Sequence, residues 1–180
     1  MKIFIIRHGT VNYKWNKWCT SAQFEHDCHG YDSADIFKES YPAPDEEIAR
    51  YYVSTLPRTL ATARNIFGEK DYIVSDLIYE VPITPFVDSK IKLPLSFWNV
   101  IGRIQWMLNC SRQEERRSYT VKRADKFLDI LIERNENCAV VTHGFFMLTL
   151  IKEARKKGFT IQNASIDYKN GACVTAIYDS

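Results

Sequence analysis

The sequence predicts an α/β protein: a three-layer sandwich in which a mostly parallel sheet carries helices on both faces, with an antiparallel edge from a C-terminal hairpin. Three observations predict it. The apolar runs Ile3–Ile6 and Cys138–Thr142 are unbroken, as in strands covered on both faces. Amphipathic helical segments alternate with the strand candidates, which implies crossover connections. Asn170-Gly171, a hairpin dipeptide, separates two alternating runs near the C-terminus.

The elements follow in order. Residues 2–6 read as a buried strand, and residues 13–50 as a polar, aromatic, irregular region with turn signals at Pro42 and Pro44. Tyr51-Tyr52-Val53 is a short strand. The stretch STLPRTLATARNIFG then marks a helix: Ser54 or Thr55 caps it, Pro57 suits its first turn, Leu60, Ala61, Ala63, Arg64 and Phe67 keep helical spacing, and Gly68 stops it. Tyr72-Ile73-Val74 and Leu77-Ile78-Tyr79 are extended. Pro82, Pro85 and Pro94 make residues 81–94 a loop. Trp98, Ile101, Ile104 and Leu108 share one face of a second helix capped by Ser96, and Val121, Ala124, Leu128, Leu131 and Ile132 mark a third. The strand at 138–142 leads into a helix from Phe145 to Lys157, which ends at Gly158. By helical spacing Phe97, Trp98, Trp106 and Phe127 belong to the core, whereas Tyr13, Trp15 and Trp18 are equally suited to line the mouth of a site.

A chain of 180 residues fits a single domain, 1–180, in which residues 81–135 contribute a lid or insertion. A formal net charge of +2 gives no global field for a nucleic-acid partner. The basic region Arg103–Arg123 is interleaved with Gln113, Glu114 and Glu115 and reads as a solvated helical face. No run approaches the roughly 18 apolar residues of a spanning helix, so no membrane partner is expected. The apolar stretch near the N-terminus is four residues long before Arg7-His8 and does not read as a signal peptide. Five cysteines without framework spacing imply reduced thiols and a cytoplasmic location. Oligomeric state is left open.

In a parallel α/β sheet the ligand sits beyond the carboxyl ends of the strands. Arg7-His8-Gly9 follows the first strand and Thr142-His143-Gly144 follows the strand at 138–142, so two strand ends present histidine followed by glycine. Arg58 opens a helix and Glu80 closes an apolar segment. Taken singly each has a bland reading: a chance tripeptide, a surface arginine, a solvated carboxylate. Their joint placement at sheet edges favours chemistry. Two guanidinium forks suit phosphate oxygens, and a helix start adds backbone N–H donors. A phosphoryl group held there leaves neutral His8 as an in-line nucleophile, with its pKa lowered by the neighbouring guanidinium charges. His143 would hold an oxygen of the transferring group, and Glu80 would protonate the departing oxygen and then deprotonate water. No metal or other cofactor is needed to balance the phosphate.

These motifs resemble the histidine phosphatase superfamily, with its phosphoglycerate mutase-like fold. FIIRHG resembles its opening strand and nucleophile motif, STLPRTLATA its second motif, IYEVPIT the region of its acid, and VVTHGF its closing His-Gly. The resemblance implies a transiently phosphorylated His8, a phosphate pocket of Arg7, Arg58 and His143, and Glu80 as proton donor, with Asp76 and Asp88 as nearby alternatives. Thr10 and Asn12 are added as candidate substrate contacts. The sequence departs from the family in following Arg-His-Gly with Thr10-Val11-Asn12, in residues 17–40, and in the proline-rich loop 81–94 after the acid. Those changes bear on substrate choice.

Three readings are therefore carried: a metal-independent phosphomonoesterase acting on a small phosphorylated molecule, a phosphoglycerate-type phosphomutase, and a non-catalytic phosphate-binding module. Cys19, His26, Cys28 and His29 cluster within CTSAQFEHDCHG, but their spacing is not that of a standard zinc module. No metal site is expected.

Overall fold

A computed structural model describes residues 1–162 and 168–179. In chain order the elements are β1 (Lys2–Arg7), β2 (Trp18–Cys19), α1 (Ser21–Ser33), β3 (Arg50–Ser54), α2 (Pro57–Phe67), β4 (Tyr72–Ser75), a 3-10 turn (Asp76–Ile78), β5 (Leu93–Pro94), α3 (Leu95–Met107), α4 (Arg117–Arg134), β6 (Cys138–Thr142), α5 (Gly144–Lys156), β7 (Thr160–Gln162) and β8 (Cys173–Ile177). The main sheet has the order β4-β3-β6-β1-β8-β7. Its first four strands are parallel, whereas β8 runs antiparallel to β1 and to β7. β2 and β5 form a separate two-stranded ribbon.

Strand side chains alternate between faces, and this alternation builds the layers. Ile3, Ile5, Cys138 and Val140 point to one face, where α4 and α5 cover them through Phe127, Leu128, Phe146 and Leu150. Ile6, Val53 and Val141 point to the other, against Ala63 of α2. The expected three-layer α/β sandwich with a mostly parallel sheet is thus the architecture observed.

Several elements differ from the sequence expectation. The region 13–50 contains α1, whose start is fixed by a capping box: Thr20 Oγ1 accepts from the Gln23 N–H, and Gln23 Oε1 accepts from the Thr20 N–H. α2 is capped at Leu56 rather than by Ser54 or Thr55, because Ser54 remains in β3 and its hydroxyl is used elsewhere. Leu77-Ile78-Tyr79 is not extended, since the 3-10 turn capped by Ser75 Oγ occupies most of it. α3 starts at Leu95 with Pro94 as its cap, and its buried line is Trp98, Gly102 and Trp106. Ile104 and Leu108 face solvent, as does half of Phe97. Gly102 explains the offset: a Cβ there would stand 2.9 Å from Ile83, so the bare backbone lets the proline-rich loop pack directly on the helix. β8 lies between β1 and β7, and β7, at 160–162, is its outer partner. Most of the first arm expected for the hairpin, residues 165–167, lies outside the described residues.

The basic stretch 103–123 is a correction of a different kind. Arg123 is nearly buried, donating Nε and Nη2 to the Glu115 carboxylate at 2.8 and 3.1 Å and Nη1 to the carbonyls of Leu77 and Tyr79. Its guanidinium carbon lies 3.9 Å from the Tyr79 ring centroid. Glu115 and Gln113 are buried as well. Removing one partner of such a pair strands a charge in low dielectric. Glu115→Ala should therefore cost about 3 kcal/mol of stability, read as a lowered urea midpoint at unchanged slope; an unchanged midpoint would contradict this account.

Candidate active site

The pairing of β1 with β6 places Arg7 beside Thr142, and the ladder runs one step further: the His8 N–H donates to the Thr142 carbonyl at 2.9 Å. His8 and His143 therefore leave adjacent strand ends together, with ring centroids 5.1 Å apart. The His8 Nδ1–H donates to the Gly9 carbonyl at 2.7 Å, which leaves the lone pair on Nε2. Burial, then the Arg58 charge, pull the His8 pKa down to about 3, with a smaller contribution from Arg7 opposed by the Gly9 hydrogen bond.

His143 is fully buried, and its two ring nitrogens have fixed roles. Arg58 Nε donates to Nδ1 at 3.2 Å, so the proton sits on Nε2 and is donated to Ser54 Oγ at 2.5 Å. Burial first, and the Arg58 charge second, hold this imidazole neutral well below its usual titration range. In this arrangement both His143 nitrogens are engaged by protein groups, so its contact with a phosphoryl oxygen requires the Ser54 bond to be exchanged.

Arg58 stands in the first turn of α2, directly after Pro57, whose fixed φ suits that position. Its side chain is 1 % exposed, which corrects the bland surface reading. Nη1 donates to Asp32 Oδ1 at 2.9 Å, and Nη2 is buried with no partner among the described residues. Arg7 Nε is likewise buried and unpartnered, while its Nη1 donates to the Tyr168 carbonyl. The Arg7 guanidinium lies against Gly144, where a Cβ would come within 2.8 Å of Nε. That contact gives the glycine after His143 its physical reason.

Glu80 meets the start of α5. One carboxylate oxygen accepts from the N–H groups of Val81 and Phe146 at 2.9 and 3.0 Å, and the other from Phe145 at 3.4 Å. Glu80, Arg7 and Arg58 line a cavity of about 590 Å3, and Trp15 lies on its wall. Asp76, in the 3-10 turn, and exposed Asp88, which pairs with Arg112, do not line it.

Five of the expected residues, Arg7, His8, Arg58, Glu80 and His143, are thus gathered at one edge of the sheet. Thr10 and Asn12 are not directed there. The Thr10 hydroxyl donates to Glu39 at 2.8 Å, and Asn12 is exposed. Trp18 is exposed on β2, and the Tyr13 hydroxyl donates to Asp27. Among the described residues no group of three or more His, Cys, Asp or Glu side chains gathers as a metal site. Cys28 lines the cavity, and burial, the largest influence, pushes its thiol up to about 12.

Sequence reasoning gave Asp32 and Arg103 no individual role and read Asn170 only as part of a hairpin turn. Arg103 lines the cavity from α3, its guanidinium 3.9 Å from the Phe145 ring centroid. Asn170 Nδ2 donates to the carbonyls of His8 and Gly9, each at 3.0 Å, clamping the loop that carries the nucleophile candidate. Gly171, at φ +77°, follows where a Cβ would overlap the Tyr41 ring.

A profile of the histidine phosphatase superfamily (branch 1) matches residues 3–178. The chain belongs to the histidine phosphatase superfamily. Comparison with curated proteins gives no match. Among solved structures, a phosphoglycerate mutase from Bacillus anthracis superposes with a TM-score of 0.62 at 14% identity, covering 97% of this chain and 86% of its own. A phosphoserine phosphatase from Entamoeba histolytica in complex with phosphoserine gives 0.56 at 18%, covering 86% and 80%. A mycobacterial glucosyl-3-phosphoglycerate phosphatase gives 0.59 at 11%, covering 97% and 88%. At these identities the likeness speaks for the fold.

The buried histidines of this superfamily member make its stability depend on pH. Both folded-state pKa values lie below the ordinary value of about 6.5. Between pH 6.5 and 3 the unfolded chain therefore binds more protons, and stability falls as pH falls through that window. From pH 7.5 to 5 the His8 shift should remove about 2 kcal/mol, and buried His143 adds a loss of the same sign. His8→Asn should remove the His8 share of this loss in urea titrations; an undiminished pH dependence would contradict it.

Proposed function

We propose that the chain is a metal-independent phosphatase that hydrolyses phosphomonoesters through a phosphohistidine on His8. The observation that carries this reading is the pair of buried, unpartnered guanidinium donors, Arg7 Nε and Arg58 Nη2, in the cluster that holds a neutral His8. Buried donors without acceptors are costly, and a tetrahedral dianion supplies acceptors and countercharge at once.

The His8 Nε2 lone pair attacks phosphorus as the bond to the ester oxygen breaks. Glu80 gives that oxygen its proton, and the alcohol leaves. Water then attacks the phosphohistidine, Glu80 recovers a proton from it, and orthophosphate departs with His8 restored. Gly9 keeps the His8 proton on Nδ1, so the attacking nitrogen stays free. Two arginines offset the phosphoryl charge, and His143 aims Arg58 through Nδ1. Exchange of its Ser54 bond for a phosphoryl oxygen would bring the Nε2 proton to the transferring group.

Residues 81–135 serve as the lid of this single domain, since Leu95, Asn99 and Arg103 of α3 line the cavity. The substrate is a small phosphorylated molecule. Among the described residues no helix is long and apolar enough to cross a membrane. The five cysteines are free thiols, which supports a reducing, cytoplasmic setting.

Turnover of an aryl phosphate such as p-nitrophenyl phosphate should persist in EDTA, and His8→Ala should lower kcat by roughly a thousandfold or more. Undiminished activity in that variant would end the assignment. Product analysis with 3-phosphoglycerate separates transfer to water from transfer back to the sugar acid.

A further inference from the structure

We propose that Asp32 competes with phosphate for Arg58, lowering the affinity of the site for the phosphoryl group so that orthophosphate is released readily. The proposal rests on the phosphatase reading of the site.

Arg58 has three nitrogens. Nε is given to His143, and Nη1 is given to Asp32, at 2.9 Å to the carboxylate and 3.4 Å to the backbone carbonyl. Among the described residues Nη2 alone is without a partner. A two-pronged grip on phosphate needs two N–H groups on one side of the guanidinium. With Asp32 in place, Arg58 offers one. The side chains differ in burial: Arg58 is 1 % exposed and Asp32 47 %. Asp32 sits in the last turn of α1, lines the cavity, and follows Tyr31, whose ring centroid lies 5.1 Å from the guanidinium carbon.

A carboxylate hydrogen-bonded to the anion-binding arginine opposes a phosphate dianion twice, by occupying a donor and by like charge. Every phosphorylated ligand meets that cost. An ester offsets it with contacts from its alcohol portion in the cavity, whereas orthophosphate has no such portion. Asp32 therefore weakens the hold on the phosphoryl group of ester and orthophosphate alike; the ester keeps the contacts of its alcohol portion, and orthophosphate is released readily after hydrolysis.

The test compares wild type with Asp32→Asn and Asp32→Ala. Asparagine keeps an oxygen for Arg58 and loses the charge; alanine loses both. Orthophosphate affinity is measured by titration calorimetry, and the product-inhibition constant during p-nitrophenyl phosphate turnover. Both variants should bind orthophosphate roughly ten- to hundredfold more tightly, the range expected for removal of one charged hydrogen-bond competitor, and product inhibition should deepen in parallel. Loss of a structural contact would not produce such a gain. Unchanged or weaker binding in both variants overturns the proposal. So does wild-type affinity in Asn with weaker binding in Ala, which would make Asp32 a positioning residue for Arg58. Turnover in all three proteins with no gain in phosphate affinity refutes Asp32 alone. Absence of orthophosphate binding and turnover in all three refutes the phosphatase reading with it.

Discussion

The parallel register between β1 and β6 is the constraint on which the site depends. Ile3 pairs with Cys138, and each step along the ladder carries that match forward until Arg7 lies beside Thr142. A one-residue slip in either strand would turn its side chains to the opposite face. One imidazole would then leave the other. The register is held by core packing, because Ile3, Ile5 and Val140 fill the face covered by α4 and α5 while Ile6 and Val141 fill the other. β3 joins on the far side of β6 with Val53 opposite Val141, so Ser54 arrives beside His143 by the same backbone logic. The geometry of three side chains thus follows from hydrophobic alternation along the strands that carry them.

Electrostatics completes what the register begins. Burial disfavours an imidazolium at His143, and Arg58 reinforces this by charge. The hydrogen bond from Arg58 Nε requires the same state, since only a neutral ring can accept at Nδ1. Arg58 consequently donates two ways, through Nη1 to Asp32 and through Nε to His143, and His143 donates onward to Ser54. A buried guanidinium would be expensive alone. Here it has a carboxylate, an imidazole and an aromatic face within reach, and it keeps one donor in reserve.

Much of this was legible in the sequence because its determinants are local. The unbroken apolar runs, the strand-end histidines, and Pro57 and Gly68 bounding α2 are all read within a few positions. Residues such as Asn170 are different. Its donors meet the carbonyls of His8 and Gly9 across more than 160 residues, and nothing in the neighbouring sequence announces that. Asp32 lay in a region read as irregular, although Thr20 and Gln23 spell a capping box that marks α1. The error in α3 has another origin. Its outer face is apolar as well, so periodicity had no polar side to orient against, and Gly102 rather than a large residue marks the packed line.

The basic stretch 103–123 was misread for a reason that explains how Glu80 is held. The chain from Leu77 to Phe86 has no strand partner on the sheet, so its carbonyls need other donors. Long side chains from α3, α4 and the link between them supply these. Arg123 serves Leu77 and Tyr79, Arg103 serves Val81 and Pro82, Gln113 serves Thr84, Arg112 serves Pro85 and Gln105 serves Phe86. An arginine row that looks solvated in sequence is therefore the missing neighbour strand, built from side chains. Because that scaffold belongs to the segment that also walls the cavity, a displacement of α3 or α4 would shift the carbonyls on either side of Glu80 and the carboxylate with them. The position of the acid candidate and the shape of the cavity are in this way a single structural variable.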